Sequence, residues 1–189
     1  LRYLRVDPIE RWTKKGHPAP MYCCPNFTSS PERPRVTGKS LAYFSGSETL
    51  EGLFLLDAQV DSADLAPFAE IPRLGHLALP CAIDEEAVTH LTACSRLSRL
   101  TLGYRQITAG EIEQLAKWDK LQYLTLTHAT VPTDALRAIG ALPSLKSLEI
   151  VACELSDDDL AHLRLPDTLT TLGLMQNNIA GPGLAHLAS

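Results

Sequence analysis

The stretch LSRLTL at residues 97–102 returns as LQYLTL at 121–126, 24 residues later. Leu97, Leu100 and Leu102 hold the first, fourth and sixth places of a frame that Leu121, Leu124 and Leu126 repeat. Outward from this pair the frame reads LEGLFL (50–55), LGHLAL (74–79), LKSLEI (145–150) and LTTLGL (169–174). The starts are separated by 24, 23, 24, 24 and 24 residues, a fixed period of the kind that marks repeat architectures.

Each unit then spells the same local structure. The six-residue opening alternates apolar and variable positions, the period-two pattern of a strand. An apolar residue follows at position eleven, as Val60, Ile107, Val131, Leu155 and Ile179, with Ile83 in the second unit, which is one residue short. Apolar pairs three apart come next: Leu65 and Phe68, Val88 and Leu91, Ile112 and Leu115, Leu136 and Ile139, Leu160 and Leu163, Leu184 and Leu187. Thr108 with Glu111, and Ser156 with Asp159, have the hydroxyl-then-acid spacing that satisfies free N–H groups in a first helical turn. Asp84, Glu85 and Glu86 suit a helix N-terminus electrostatically. The pattern predicts a strand, a turn and about two turns of helix per unit. A strand and helix this small cannot bury their own leucines, so neighbouring units must stack. Strands separated by a helical return run parallel. The expected fold is a curved α/β solenoid.

The unit L-x-x-L-x-L-x-x-x-x-L-[TS]-[DS]-x-x-L-x-x-L resembles the leucine-rich repeat superfamily. Its period and its second halves, LSDDDLAHL (155–163) and VPTDALRAI (131–139), resemble the bacterial GALA-like or ribonuclease-inhibitor-like kind. The resemblance covers residues 50–189 and implies a right-handed solenoid with its parallel sheet on the concave side and short helices on the convex side. The units are expected at 50–73, 74–96, 97–120, 121–144, 145–168 and 169–189. The family places Asn at position nine, where it hydrogen-bonds the turn backbone of neighbouring units. Here that position reads Ala58, Ala82, Arg105, Ala129, Cys153 and Asn177, so only the last fits. An arginine cannot simply be buried there, and a rearranged turn is expected in the third unit.

Residues 1–49 differ in kind. They hold six of the thirteen prolines and six of the eleven aromatics, which argues against both long helices and a disordered tail. An irregular, folded N-terminal cap on the first repeat is expected. Within it, LRYLRV (1–6) matches the strand frame through Leu1, Leu4 and Val6, and Ser40–Phe44 is a second strand candidate.

Composition narrows the function. The chain is 45% apolar and 21% charged, and no run reaches the roughly 18 apolar residues a membrane helix needs. The opening LRYLRVDPIERW has no apolar core of a signal peptide. Residues 50–189 carry nine Lys/Arg against eighteen Asp/Glu, which disfavours nucleic acid and a membrane surface and fits a positively charged partner. The five cysteines (Cys23, Cys24, Cys81, Cys94, Cys153) form neither a disulfide framework nor a C-x-x-C zinc spacing. A cytoplasmic setting is expected, with a secreted or host-delivered effector as the alternative, and no cofactor or metal is expected.

Read across units, the strand positions between the leucines gather Arg99, Tyr104, Tyr123 and His128, flanked by His76 and Glu149. Tyr and Arg are enriched in interface hot spots, so these six are the candidate partner-binding residues. Large side chains also occur on ordinary solvated sheet faces; four on two adjacent strands favour a binding surface. A catalytic reading of His128 with Cys81 fails on distance, since they lie two units apart. Cys23, Cys24 and His17 lack two further ligands for a metal, and buried thiols explain the cysteines better.

The leading expectation is a non-enzymatic protein-interaction module, as an adaptor, effector recognition domain or inhibitor. The alternative is the substrate-recognition part of an enzyme, such as a ubiquitin-ligase-type effector, with catalysis outside this chain or in residues 1–49. Those residues show no F-box pattern, and no C-x-D ligase signature is present. The last strand has no polar cap, which points to a continuation of the chain or a homodimer at that edge.

Overall fold

The computed structural model describes Tyr3–Arg5 as backbone, and residues 37–56, 58 and 60–187 in full. Cys23, Cys24, His17 and Asp57 lie outside the described residues, as does most of the expected cap. The architecture is α/β: one seven-stranded parallel sheet, with short helices between the strands. The strands are β1 (Tyr3–Arg5), β2 (Gly52–Phe54), β3 (His76–Leu79), β4 (Arg99–Gly103), β5 (Tyr123–Thr127), β6 (Ser147–Val151) and β7 (Thr171–Gly173). They pair in chain order. The strand expected at LRYLRV is β1, with Tyr3 opposite Gly52.

The register places like positions side by side. Leu77, Leu100, Leu124, Leu148 and Leu172 form one continuous row, and Leu79, Leu102, Leu126 and Ile150 another. The leucines at places one, four and six of the first five units are at most 2% exposed. Backbone bonds fix the spacing where strands begin. The Ser98 carbonyl accepts from both Gln122 N and Tyr123 N (2.9 and 3.0 Å), and the Gln122 carbonyl from Lys146 N and Ser147 N (2.8 and 3.0 Å).

The return segments are α2 (Glu85–Ala93), α3 (Ala109–Leu115), α4 (Thr133–Ala138) and α5 (Asp157–Leu160), with 3-10 helices at Ser62–Glu70, Ile139–Ala141 and Pro182–Leu187. The predicted caps form: Asp84 accepts from Ala87 N at 2.8 Å, and Thr108–Glu111 and Ser156–Asp159 close capping boxes. Pro67 inside Ser62–Glu70 lacks the N–H an α-helix needs, and that segment is 3-10. The predicted apolar pairs of the first five units supply the inner side, with Leu65, Phe68, Leu91, Ile112, Leu115 and Leu136 fully buried. Trp118, just past α3, joins them. In the sixth unit the 3-10 segment Pro182–Leu187 turns Gly183 inward and leaves Leu184 50% exposed, against the pattern.

Two further expectations need correction. The strand candidate Ser40–Phe44 is instead helical, α1 (Gly38–Leu41) running into a 3-10 turn at Ala42–Phe44. Helical winding there inserts Leu41 into the core while Tyr43 stays 89% exposed. The turn of the third unit is not rearranged either. Tyr104, His128, Ala152 and Gln176, at position eight of four successive units, share a left-handed backbone with φ of 61, 50, 52 and 59°. Arg105 fits that common turn because its guanidinium Nη1 meets Glu111 Oε1 at 2.7 Å and Oε2 at 2.9 Å. Glu111 Oε1 also accepts from Ile83 N of the preceding unit at 2.8 Å, and Oε2 from Thr108 N at 2.9 Å. Burial pushes the Glu111 carboxyl up, but Arg105 and these N–H donors outweigh it and hold its pKa below the ordinary value.

The sixth unit solves the same demand with asparagine. Asn177 Oδ1 accepts from Cys153 N and Leu155 N (3.0 and 3.2 Å), while Nδ2 donates to the carbonyls of Ile150 and Leu174 (2.7 and 3.0 Å). Cys153 turns its thiol to the Leu126 and Val151 carbonyls.

Glu111→Ala strands a guanidinium whose side chain is 17% exposed, and should lower stability by about 3 kcal/mol in chemical denaturation. Arg105→Ala should cost less, since Glu111 keeps two backbone donors, and the double variant should be far from additive. Asn177→Ala should cost about 2 kcal/mol, because it leaves N–H groups of the fifth turn without an acceptor. An unchanged unfolding midpoint for either single-site deletion of an acceptor would contradict these roles.

Candidate functional site

On the sheet face opposite the leucine rows, the register assembles the residues singled out from the sequence. His76, Arg99, Tyr123 and Ser147 form one row, and Thr101, Thr125 and Glu149 the next. Arg99 lies over the Tyr123 ring, its guanidinium carbon 4.6 Å from the centroid. Such a contact is worth roughly 0.5–1 kcal/mol at an exposed site, enough to bias both side chains toward one arrangement. Tyr104 stacks on His128 with centroids 5.0 Å apart and planes 6° from parallel.

The turn makes the second pair. A left-handed residue costs a non-glycine side chain roughly 1–2 kcal/mol, and the turn recovers this through Tyr104 N donating to the Thr127 carbonyl (3.1 Å) and His128 N to the Val151 carbonyl (3.0 Å). Ala152 and Gln176 share the conformation, so it belongs to the turn rather than to the pair. Gly103 allows the close approach of β4 and β5 here: a Cβ on it would lie 2.5 Å from the Thr127 carbonyl oxygen. His128 Nδ1 is further held at 2.9 Å from Thr127 Oγ1.

His76 is the inner neighbour of the face. Its Nε2 lies 3.1 Å from Thr101 Oγ1, and its ring meets Phe54 edge-on at 4.6 Å. Burial, then the nearby Arg99 charge, pushes its pKa down to about 4; burial also lowers that of His128. Glu149 accepts from Thr125 Oγ1 at 3.4 Å, and the absent side chain of Gly173 leaves room beside it. The six candidates therefore form two ordered pairs with His76 and Glu149 on the flanks. Arg99–Tyr123 and Tyr104–His128 are separated by five positions along the strands, at most about 16 Å at roughly 3.3 Å per residue. Small side chains, Thr101, Thr125 and Gly103, occupy the floor between them. Phe54, Thr101 and Thr127 complete the site as supports; their strand columns were visible in the sequence, but which ring or hydroxyl each would hold was not.

The face offers stacking and ion-pairing groups, with His76, His128 and Glu149 as its hydrogen-bonding titratable side chains. Burial pushes the Cys81 thiol up to about 11, the opposite of an activated nucleophile. Cys94 caps the end of α2 and is buried, and Cys153 is interior. Among the described residues, no group of three or more His, Cys, Asp or Glu is placed to hold a metal ion, and no helix is long and apolar enough to cross a membrane. No protein-family model matches the chain, and no curated protein matches it.

The lowered pKa of His76 has a testable sign. The unfolded chain takes up its proton near 6.5 and the folded one only near 4, so stability is full above about 6.5 and falls progressively as pH drops toward 4. Thermal melts across that window should show a smaller loss in His76→Gln than in the parent protein. Parallel curves would remove His76 from the account.

Proposed function

We propose that residues 50–189 form six leucine-rich repeats of the GALA-like or ribonuclease-inhibitor-like kind, closed at their start by residues 1–49. In this reading the solenoid is right-handed, and the open sheet face is its concave side. The protein is a non-enzymatic interaction module that holds a protein partner there, through Arg99, Tyr104, Tyr123 and His128 with His76 and Glu149 at the margins. The fold reading draws support from the match between the 24-residue frame and the sheet register, and from Asn177, whose bonds are those the family's asparagine makes.

One observation carries the function: Arg99 packs over Tyr123 and Tyr104 stacks on His128, two side-chain pairs that hold each other in place. Aromatic and arginine side chains already fixed by Tyr104–His128 stacking and the Arg99–Tyr123 contact lose less conformational freedom on binding. Tyr104 and Tyr123 remain 44% and 36% exposed, so the contact area is on offer rather than consumed by the fold.

Alanine at each of Arg99, Tyr104, Tyr123 and His128 should weaken partner binding by about 1–2 kcal/mol while leaving the melting temperature close to that of the parent. Affinity capture from native lysate with mass spectrometry supplies the comparison. A specific partner should be retained by the parent and by Glu113→Ala on the exposed side of α3, and lost by the four-site variant. Equal loss from Glu113→Ala would sink the face as the binding surface.

A further inference from the structure

All strands point the same way, so every segment leaving a strand lies on one rim of the sheet and every segment leading into a strand on the other. These rims carry opposite charge. From the ends of β2–β6 through the first turn of each following helix, the described residues include eleven acids and one base. That base, Arg105, is bound to one of the acids, Glu111. The segments leading into β2–β7 hold six bases, among them Arg96, Lys120 and Lys146, against Glu48, Glu51, Asp119 and Asp167.

Helix capping accounts for part of the acidic rim but not all of it. Asp84 and Asp159 serve as caps, and Asp157 accepts from Ala180 N. Glu154 and Asp158 are exposed and serve none of these bonds. Tyr104 and His128 stand on this same rim, at the ends of β4 and β5. The ordered aromatic stack is therefore set within surplus negative charge, whereas Arg99 and Tyr123 stand at the opposite, basic rim.

We propose that the occupant of the face is a protein segment rich in Lys and Arg along one side, seated with that side over the rim where the strands end. A guanidinium of the partner stacks on the exposed Tyr104 ring, and Asp134, Glu154 and Asp158 supply the counter-charges. The opposite rim fixes the polarity, since Arg99, Lys120 and Lys146 repel the basic side and accept acidic groups. A second copy of the chain offers a similar rim-to-rim match, but its excess negative charge, nine bases against eighteen acids over residues 50–189, opposes self-association. This inference rests on the face being the binding surface, and adds the chemistry and direction of what binds.

The probe is a fluorescein-labelled peptide of repeated Lys-Arg-Ser triplets, with a Glu-Asp-Ser peptide of equal length as control, followed by anisotropy at physiological ionic strength. The basic peptide should bind and the acidic one should not. Neutralising four rim acids together (Glu85→Gln, Asp134→Asn, Glu154→Gln, Asp158→Asn) should weaken binding about tenfold and flatten its salt dependence. Neutralising four exposed acids elsewhere (Glu48→Gln, Glu113→Gln, Asp119→Asn, Asp167→Asn) changes net charge equally and should cost less than about twofold. Tyr104→Ala should weaken binding severalfold with the salt dependence retained. Melting curves establish that each variant is folded. Equal losses from the two four-acid sets, no binding of the basic peptide, or a stable dimer by sedimentation would each overturn the proposal. If the four-site alanine variant loses its lysate partner while the rim variant keeps it, the face stands and the basic occupant falls; if both variants keep it, both readings fall.

Discussion

No unit of this protein can remove its own leucines from water. A strand of three to five residues backed by four to nine helical residues presents an apolar side with nothing of its own to cover it. The neighbouring unit supplies the cover, and the parallel register lays Leu100 against Leu124 and Leu124 against Leu148. Every other feature follows from keeping that stack in phase. The period must stay near 24, the strand starts must share carbonyl acceptors, and the return segments must be short enough to lie beside one another.

The turn after each strand is the point at which phase can be lost, because its backbone polar groups face the interior without a ladder to receive them. Three chemistries answer one demand. Asn177 bonds the fifth turn through both ends of its amide, Cys153 offers a thiol to two carbonyls, and Glu111 reaches back to Ile83 N while neutralising Arg105. The last is the costliest to disturb, since it puts a charged pair where the others use neutral groups. It also explains how an arginine can stand at position nine without changing the turn's backbone.

What the sequence disclosed, and what it withheld, divides along the same line. Periodicity reports one-dimensional facts, and the strands, the leucine rows, the β1 match at Tyr3–Arg5 and the helix caps are of that kind. Ser40–Phe44 reads as a strand because a short apolar run fits both periods, and only the burial of Leu41 decides for a helix. The partnership of Arg105 with Glu111 spans six residues and a shared turn, so no fixed spacing announces it. The candidate site was half legible. Column reading placed Tyr104 beside His128 and Arg99 beside Tyr123, but ring planes and the hydroxyls that hold His76 and His128 depend on the left-handed turn and on how closely Gly103 lets β5 approach.

Repetition converts a local rule into a global property. An acid at a helix start and a base at its end each stabilise one helix by a few tenths of a kcal/mol to about 1 kcal/mol, whatever the fold. Where helices point in many directions, such charges scatter and their fields cancel. Here the returns all run from one rim of the sheet to the other, so each unit adds its acid to one side and its base to the opposite side. The rim potential thus grows with the number of units. Residues beyond the capping need, Glu154 and Asp158, then deepen a field that capping began. Tyr104 and His128 stand inside that field for a related reason: the turn that ends each strand also precedes each helix start. Stacking surface and negative charge are therefore joined by the geometry of the unit, and a basic partner would meet both at once.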